Sequence, residues 1–273
     1  MASPGGRPLW GFVRGFRALA LLALLLPVAA GAKPARIVSM NPCIDSVLVR
    51  VADGGQVAAI SHWSHDPAAS SLPIGLARRF PAHGGTAEEV IALKPDLVLI
   101  STFTPLATRD ALKRLKVRTV SVGLPATIAE SLAQVRVIAD AVGQGARGVA
   151  LVADIEAELA RARRAGSPRP ALMRMASGFV PGPGSLSEAL MAHAGLVSVA
   201  AERGLTGAGV IGLEALVLEP PALLITDRPE ALPPLVAKLP TKVAAFDRQL
   251  LNCGGPSLGP AALRLAAIRD SVR

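Results

Sequence analysis

Residues 87–100 read AEEVIALKPDLVLI, and residues 213–225 read LEALVLEPPALLI. The two phrases share one register. Glu88 and Glu214 stand 126 residues apart, and each is followed seven residues later by a proline, Pro95 and Pro221. Each proline leads into an apolar run, LVLI at 97–100 and LLI at 223–225. Proline cannot continue a helix, and it pushes its predecessor toward extended backbone. Each phrase therefore predicts a short helix, a stop and a strand, over 87–94 and 96–101 in the first copy and 213–219 and 222–226 in the second. An unbroken apolar run is the mark of a strand covered on both faces, as in parallel sheets flanked by helices.

Outward from the repeat, short apolar runs alternate with helical patterns. RIVSM (36–40), QVAAIS (56–61) and VRTVSV (117–122) read as strands. CIDSVLVRVA (43–52), LATRDALKRL (106–115) and IAESLAQVRVIADAVG (128–143) read as helices. Later, PALMRMASGF (170–179), VSVA (197–200) and KVAAFD (242–247) read as strands. SLSEALMAHAG (185–195), a proline-broken RPEALPPLVAKL (228–239) and PAALRLAAIRDSV (260–272) read as helices. Such alternation implies parallel sheets with helices on their faces. Residues 146–165 break the rhythm. Val152, Ile155, Leu159 and Ala162 fall on one stripe of a single helix about 30 Å long. The predicted fold is α/β, with two Rossmann-like lobes joined by one long rigid helix and a ligand cleft between them. Its parts are an N-terminal lobe over 33–145, a connecting helix over 146–166 and a C-terminal lobe over 167–273.

The first 32 residues stand apart. Arg7, Arg14 and Arg17 precede ALALLALLLPVAA, and Ala30-Gly31-Ala32 supplies the small residues of a cleavage site. This is the layout of a secretory signal peptide, and the apolar run is too short to span a membrane. Cleavage before Lys33 removes three arginines and lowers the net charge from +9 to +6. A basic surface is compatible with an anionic ligand. The absence of Lys/Arg-rich runs and the scarcity of aromatic residues exclude a nucleic-acid partner. The expected product is an exported, monomeric periplasmic protein.

Thr86 and Glu89 form a capping-box pattern, which leaves Glu88, at the second helical position, without a capping role. With Gly212 as N-cap, Glu214 occupies the same position in the second phrase. Acids in a first turn favour the helix dipole. The same position used in both lobes suggests a surface presented twice to one partner.

Together with RIVSMNPCIDSVL, the VAAISHWSHDP stretch and the long helix, the "EEVIALKPDLVLI" phrase resembles the periplasmic substrate-binding proteins of ABC importers for iron–siderophore complexes, haem and vitamin B12. The resemblance runs over about 35–272. It implies capture of an iron or cobalt chelate and delivery to a permease dimer in the inner membrane. It also implies that Glu88 and Glu214 pair with arginines of that permease. The second phrase departs from the family pattern at Ala222, where an aspartate is usual.

In two-lobed α/β proteins, ligands sit at the carboxyl ends of the strands. The segments expected there carry Asn41 and Cys43, then Trp63 with His62 and His65, then Phe103, Phe179, Arg228 and Cys253. Arg248 also follows a strand. Trp63, in a loop between Ser and His, reads as a stacking contact. The His-x-x-His spacing of His62 and His65 suits a metal, but with no helix to orient them they also read as hydrogen-bonding or solvated side chains. No resident metal or cofactor is expected. The chain has no tyrosine and only four histidines, which argues against tyrosinate-held iron or a bare zinc site. Cys43 and Cys253 fall in different lobes near the cleft mouth. They read chiefly as two unpaired thiols lining the cleft or serving as soft ligands, with a disulfide as the alternative. No Gly-x-Ser-x-Gly elbow, His-Glu-x-x-His or Gly-rich phosphate loop is present, so an enzyme is not expected.

Overall fold

A computed structural model of the chain describes residues 33–272; the signal-peptide expectation over 1–32 lies outside them. The chain order is β1 (Ile37–Ser39), α1 (Pro42–Val51), β2 (Val57–Ser61), α2 (Ile74–Ala77), β3 (Ala82–His83), α3 (Ala87–Ala92), β4 (Leu97–Ser101), α4 (Leu106–Arg114), β5 (Thr119–Val122) and α5 (Ile128–Ala141). It continues with α6 (Gly145–Ala162), β6 (Arg169–Met173), β7 (Phe179–Val180), α7 (Leu186–His193), β8 (Leu196–Ser198), β9 (Gly209–Val210), α8 (Leu213–Leu218), β10 (Leu223–Thr226), β11 (Lys242–Ala245) and α9 (Leu258–Ser271). One sheet has the order β3-β2-β1-β4-β5 and another β11-β10-β6-β8, with every neighbouring pair parallel. The two lobes of the predicted α/β fold are present.

The repeated phrases become α3–β4 and α8–β10. Leu97–Ile100 and Leu223–Ile225 are buried in their sheets, as their unbroken apolar runs require. The first phrase is capped as its sequence predicts. Glu89 N–H donates to Thr86 Oγ1 (3.2 Å), and Thr86 N–H donates to Glu89 Oε2 (3.4 Å). The helix stops at Leu93, and Lys94 turns the chain at φ 48° before Pro95.

Helix α6 buries Gly148, Val152, Ile155, Leu159 and Ala162 on one stripe, packed between α5 and α9. Those apolar residues belong to one continuous cluster that runs from Ile37 of the first lobe to Ile268 of α9. Gly148 sits where an added Cβ would lie 2.4 Å from Ala139 Cβ, which lets α5 and α6 pack closely.

Several expectations need correction. The long helix ends at Ala162, not at residue 165. The expected strand over 170–179 splits, because Gly178, at φ 90°, turns the chain into β7, which pairs antiparallel with β9. The expected helix over 228–239 is two 3-10 turns, Pro229–Ala231 and Val236–Lys238, with the Pro233-Pro234 pair between them. A proline pair removes two donors from any helical ladder. Among the described residues no helix is long and apolar enough to cross a membrane.

Candidate functional site

In the first sheet β1 is the strand at which the order reverses, with β2 on one side and β4 on the other. A crevice opens beyond the carboxyl ends at such a point. Asn41 follows β1 and caps α1, its Oδ1 accepting from Cys43 N–H (2.9 Å) and Ile44 N–H (3.4 Å). Its Nδ2 donates to Ser101 Oγ at the end of β4 (3.3 Å), closing the crevice floor.

This crevice is one wall of a cavity of about 520 Å³. The first lobe contributes Asn41, Cys43, Phe103, the segment 122–126 after β5, and Gln134 of α5. The second contributes Met175 and Phe179, the Pro181–Leu186 loop and the strip 251–255. Phe103 is 70% exposed and Phe179 44%, one from each lobe. Among the described residues, Arg248 is the only charged one in the lining, and none there is a histidine, aspartate or glutamate.

The strip 248–257 belongs to the second lobe in sequence but is fastened to the first. Cys253 N–H donates to Ser71 Oγ (3.0 Å), the Ser71 hydroxyl donates to Gln249 O, and Asn252 Nδ2 donates to Ala68 O (3.2 Å). Gly255 N–H donates to Ser131 Oγ of α5 (2.8 Å), and a Cβ on Gly254 would lie 2.2 Å from that same oxygen. Cys43 and Cys253 are joined in a disulfide, Cα to Cα 5.0 Å. This corrects the expectation of two unpaired thiols, whose sulfurs are here neither thiols nor free ligands. The signal for proximity was present, since both cysteines follow strand ends; the pairing depends on where the strip crosses, which no local pattern records.

Trp63, His62 and His65 do not line this cavity. They form a 3-10 turn over His62–His65, with Trp63 51% exposed and its ring 4.6 Å from that of His62. His62 Nδ1 lies 3.2 Å from His83 O, and His65 Nε2 lies 3.1 Å from Ala77 O. Facing a carbonyl, each of these nitrogens carries the proton. His83 Nε2 meets Ser39 O (2.9 Å) and His193 Nε2 meets Leu159 O (2.7 Å), so all four imidazoles are tied to backbone.

The turn is held from below by Asp45, which is fully buried in α1. Its Oδ2 accepts from Ser61 N–H (2.9 Å) and Ser64 Oγ (2.6 Å), while its Oδ1 and the nearby Ser39 Oγ have no partner. Burial pushes the Asp45 carboxyl up to about 7, against the opposing pull of its hydrogen bonds. A proton on Oδ1 would let it donate to the Ser39 hydroxyl. Behind the opposite wall, Arg174 is buried and donates Nε to Ile211 O (2.7 Å). Burial lowers its pKa, and the field of Glu214 opposes this.

Arg228 lines a second, shallower depression rather than this cavity. Glu88 and Glu214 are exposed at the second position of α3 and α8, and among the described residues neither makes an ion pair. Sequence reasoning missed the 122–126 segment, where Leu124 is 71% exposed, and the Pro181–Leu186 loop. Both follow strand ends, a signal that was available for the first. The proline- and glycine-rich composition of the second marks a loop without saying where it lies.

Among solved structures, the chain is similar to the periplasmic haem-binding protein RhuT of Roseiflexus sp. RS-1, with 24% identity and a TM-score of 0.71 over 89% of this chain and 100% of that one. It is similar to the vitamin B12 binding protein BtuF of Vibrio cholerae, with 16% identity and a TM-score of 0.70 over 88% and 98%. It is also similar to a periplasmic haem-binding protein of Pseudomonas aeruginosa, with 20% identity and a TM-score of 0.70 over 88% and 94%. These likenesses show the fold. No curated protein matches the chain. The family model for periplasmic binding proteins matches residues 37–240, three quarters of the whole sequence, and the chain belongs to that family.

Proposed function

We propose that the protein captures a metal chelate whose metal is already fully coordinated, of the ferric siderophore or corrinoid type, and delivers it to an ABC importer. The donor set of the cavity carries this reading. Among the described residues the lining has no histidine, aspartate or glutamate, the chain has no tyrosine, and both cysteines are consumed in a disulfide. A bare transition metal needs three or four protein ligands. A saturated chelate needs only shape, apolar contact and a few hydrogen bonds. Phe103 and Phe179 offer flat faces from the two lobes, and Asn41, Gln134 and Ser177 offer polar contacts. A cavity of about 520 Å³ lies in the ordinary range for small-molecule sites.

Delivery rests on Glu88 and Glu214, exposed and equivalent in the two lobes, as docking points for a permease dimer. Residues 1–32 direct export, and the exported protein acts as a monomer without nucleic acid. Haem is the second reading. Among the described residues Met175 is the only methionine of the cavity lining and supplies a thioether, and the Roseiflexus and Pseudomonas aeruginosa proteins named above are haem-binding proteins.

Calorimetric titration of the exported protein with ferrichrome, ferric rhizoferrin, cyanocobalamin, haemin and uncomplexed Fe(III) and Zn(II) tests this. Saturable binding of a coordinated chelate at micromolar concentration or tighter, with none for the bare ions, is expected. Binding of bare ions alone would overturn it.

A further inference from the structure

The second sheet has its own reversal point, between β6 and β10. Its strand ends are bridged there, Ala176 N–H donating to Asp227 Oδ1 (2.7 Å). Beside this point lies a second, shallower depression open to solvent, which shares Arg248 with the first cavity. Its charged lining is Arg228, Arg248, Arg264, Asp227 and Asp247, and Pro67 and Ala68 of the first lobe close its far side.

Three arginines and two aspartates leave this lining a net charge of +1, and no two of these side chains form an ion pair among the described residues. Asp227 is engaged by the Ala176 amide, and Asp247 Oδ1 accepts from Gln249 N–H (2.9 Å). Arg264 donates Nε (3.1 Å) and Nη2 to Ala245 O. Among the described residues, Arg228 and Arg248 make no side-chain hydrogen bond and no ion pair. Two guanidiniums without a hydrogen-bonded partner therefore lie in a lining of net positive charge, whose two carboxylates are each held by a backbone amide. Guanidinium is the side chain best matched to a bidentate carboxylate.

Arg248 also lines the main cavity, where among the described residues it is the only charged one. The two spaces thus meet at one cation. An apolar body in the first would place a substituent at Arg248, and a longer arm would pass it toward Arg228.

We propose that the depression around Arg228 and Arg248 is a carboxylate subsite, and that the protein selects chelates carrying a carboxylate arm over neutral chelates of similar size. This deepens the chelate reading above and rests on it for the identity of the ligand's body. The carboxylate itself could belong to a chelate or to a small free acid, and the test separates the two sources.

The exported protein is titrated at low salt with three probes: ferric aerobactin, which keeps carboxylates that are not bound to its iron; ferrichrome, a neutral trihydroxamate; and metal-free citrate. Each titration is repeated on Arg228→Gln, Arg248→Gln and the double variant. Both side chains are exposed and make no hydrogen bond or ion pair among the described residues, so a thermal melt close to that of the parent is expected. The expected result is that ferric aerobactin binds more tightly than ferrichrome. Each substitution should weaken ferric aerobactin about tenfold, as loss of a charged hydrogen bond implies, and Arg228→Gln, which lies outside the main cavity lining, should leave ferrichrome unchanged. Citrate should bind weakly, and that binding should vanish in the double variant and fall with added salt. If both chelates bind and neither responds to the substitutions, the subsite is refuted while the chelate reading stands. If citrate binds through the two arginines and no chelate binds, the subsite stands as a site for free carboxylates and the chelate reading falls. If nothing binds, both fall.

Discussion

Replacing Asp45 with asparagine isolates one buried carboxyl whose protonation should be visible in the stability of the whole protein. Asp45 is fully buried and its pKa is raised from 3.8 to about 7, chiefly by desolvation. The native state therefore holds this proton more tightly than the unfolded chain does. Stability from this group is fully present below pH 3.8, declines as pH rises through the window up to about 7, and is level above it. A shift of that size corresponds to at most about 4 kcal/mol, since each unit is worth about 1.4 kcal/mol. Asparagine has the same shape, keeps an oxygen for Ser61 N–H and Ser64 Oγ, and turns an amide donor toward Ser39 Oγ. Urea unfolding followed by circular dichroism between pH 4.5 and 8 gives the assay. The parent should lose several kcal/mol relative to the variant across that range, and at pH 8 the variant should be the more stable. Shifts at other groups, such as the His83 pKa lowered by burial, cancel to first order in the difference. Parallel stability curves for the two proteins would refute the reasoning, because the carboxyl would then be no more protonated when folded than when unfolded.

Four other outcomes follow from the structure. The Cys43→Ser, Cys253→Ser double variant should lose stability by up to about 5 kcal/mol in urea unfolding, because the bond closes a loop with a sequence separation of 210, and the parent should show no free thiol when denatured without reductant. Alanine at both Glu88 and Glu214 should leave ligand affinity unchanged and abolish uptake in a transport assay, and normal uptake would remove the docking proposal. Phe103→Ala and Phe179→Ala should each weaken chelate binding by about tenfold, as loss of an aromatic contact implies, whereas Trp63→Phe, outside the cavity, should change it less; calorimetry reads all three. Gly148→Val should cost about 1–3 kcal/mol by forcing α6 away from Ala139, read as a lower unfolding midpoint.

The fold was legible where one physical signal dominates. The unbroken apolar runs of β4 and β10, the Thr86–Glu89 cap and the stripe on α6 each depend on neighbours within a few residues, and each appears where the sequence places it. Elements held by distant partners were not legible. The two-residue strands β7 and β9 exist because they pair with each other, and Phe179 and Val180 alone carry too little pattern to announce it. The span 228–239 has helical apolar spacing, yet Pro233-Pro234 outweighs it. The site was legible in part for the same reason. Asn41, Phe103 and Phe179 follow strand ends and line the cavity. Trp63 also follows a strand end, but Ser61 Oγ accepts from Trp63 N–H (3.3 Å) and starts a tight turn that places the indole outside the cavity lining.

The cystine in the cavity wall ties the completion of that wall to the redox state of the chain's surroundings. Its halves lie 210 residues apart, so the bond cannot close until the whole span between them is on the oxidising side of the membrane. A precursor held in a reducing cytosol keeps both sulfurs as thiols and lacks the tie between α1 and the strip that carries Cys253. With the sulfurs reduced, only hydrogen bonds such as those to Ala68, Ser71 and Ser131 would fasten that strip to the first lobe.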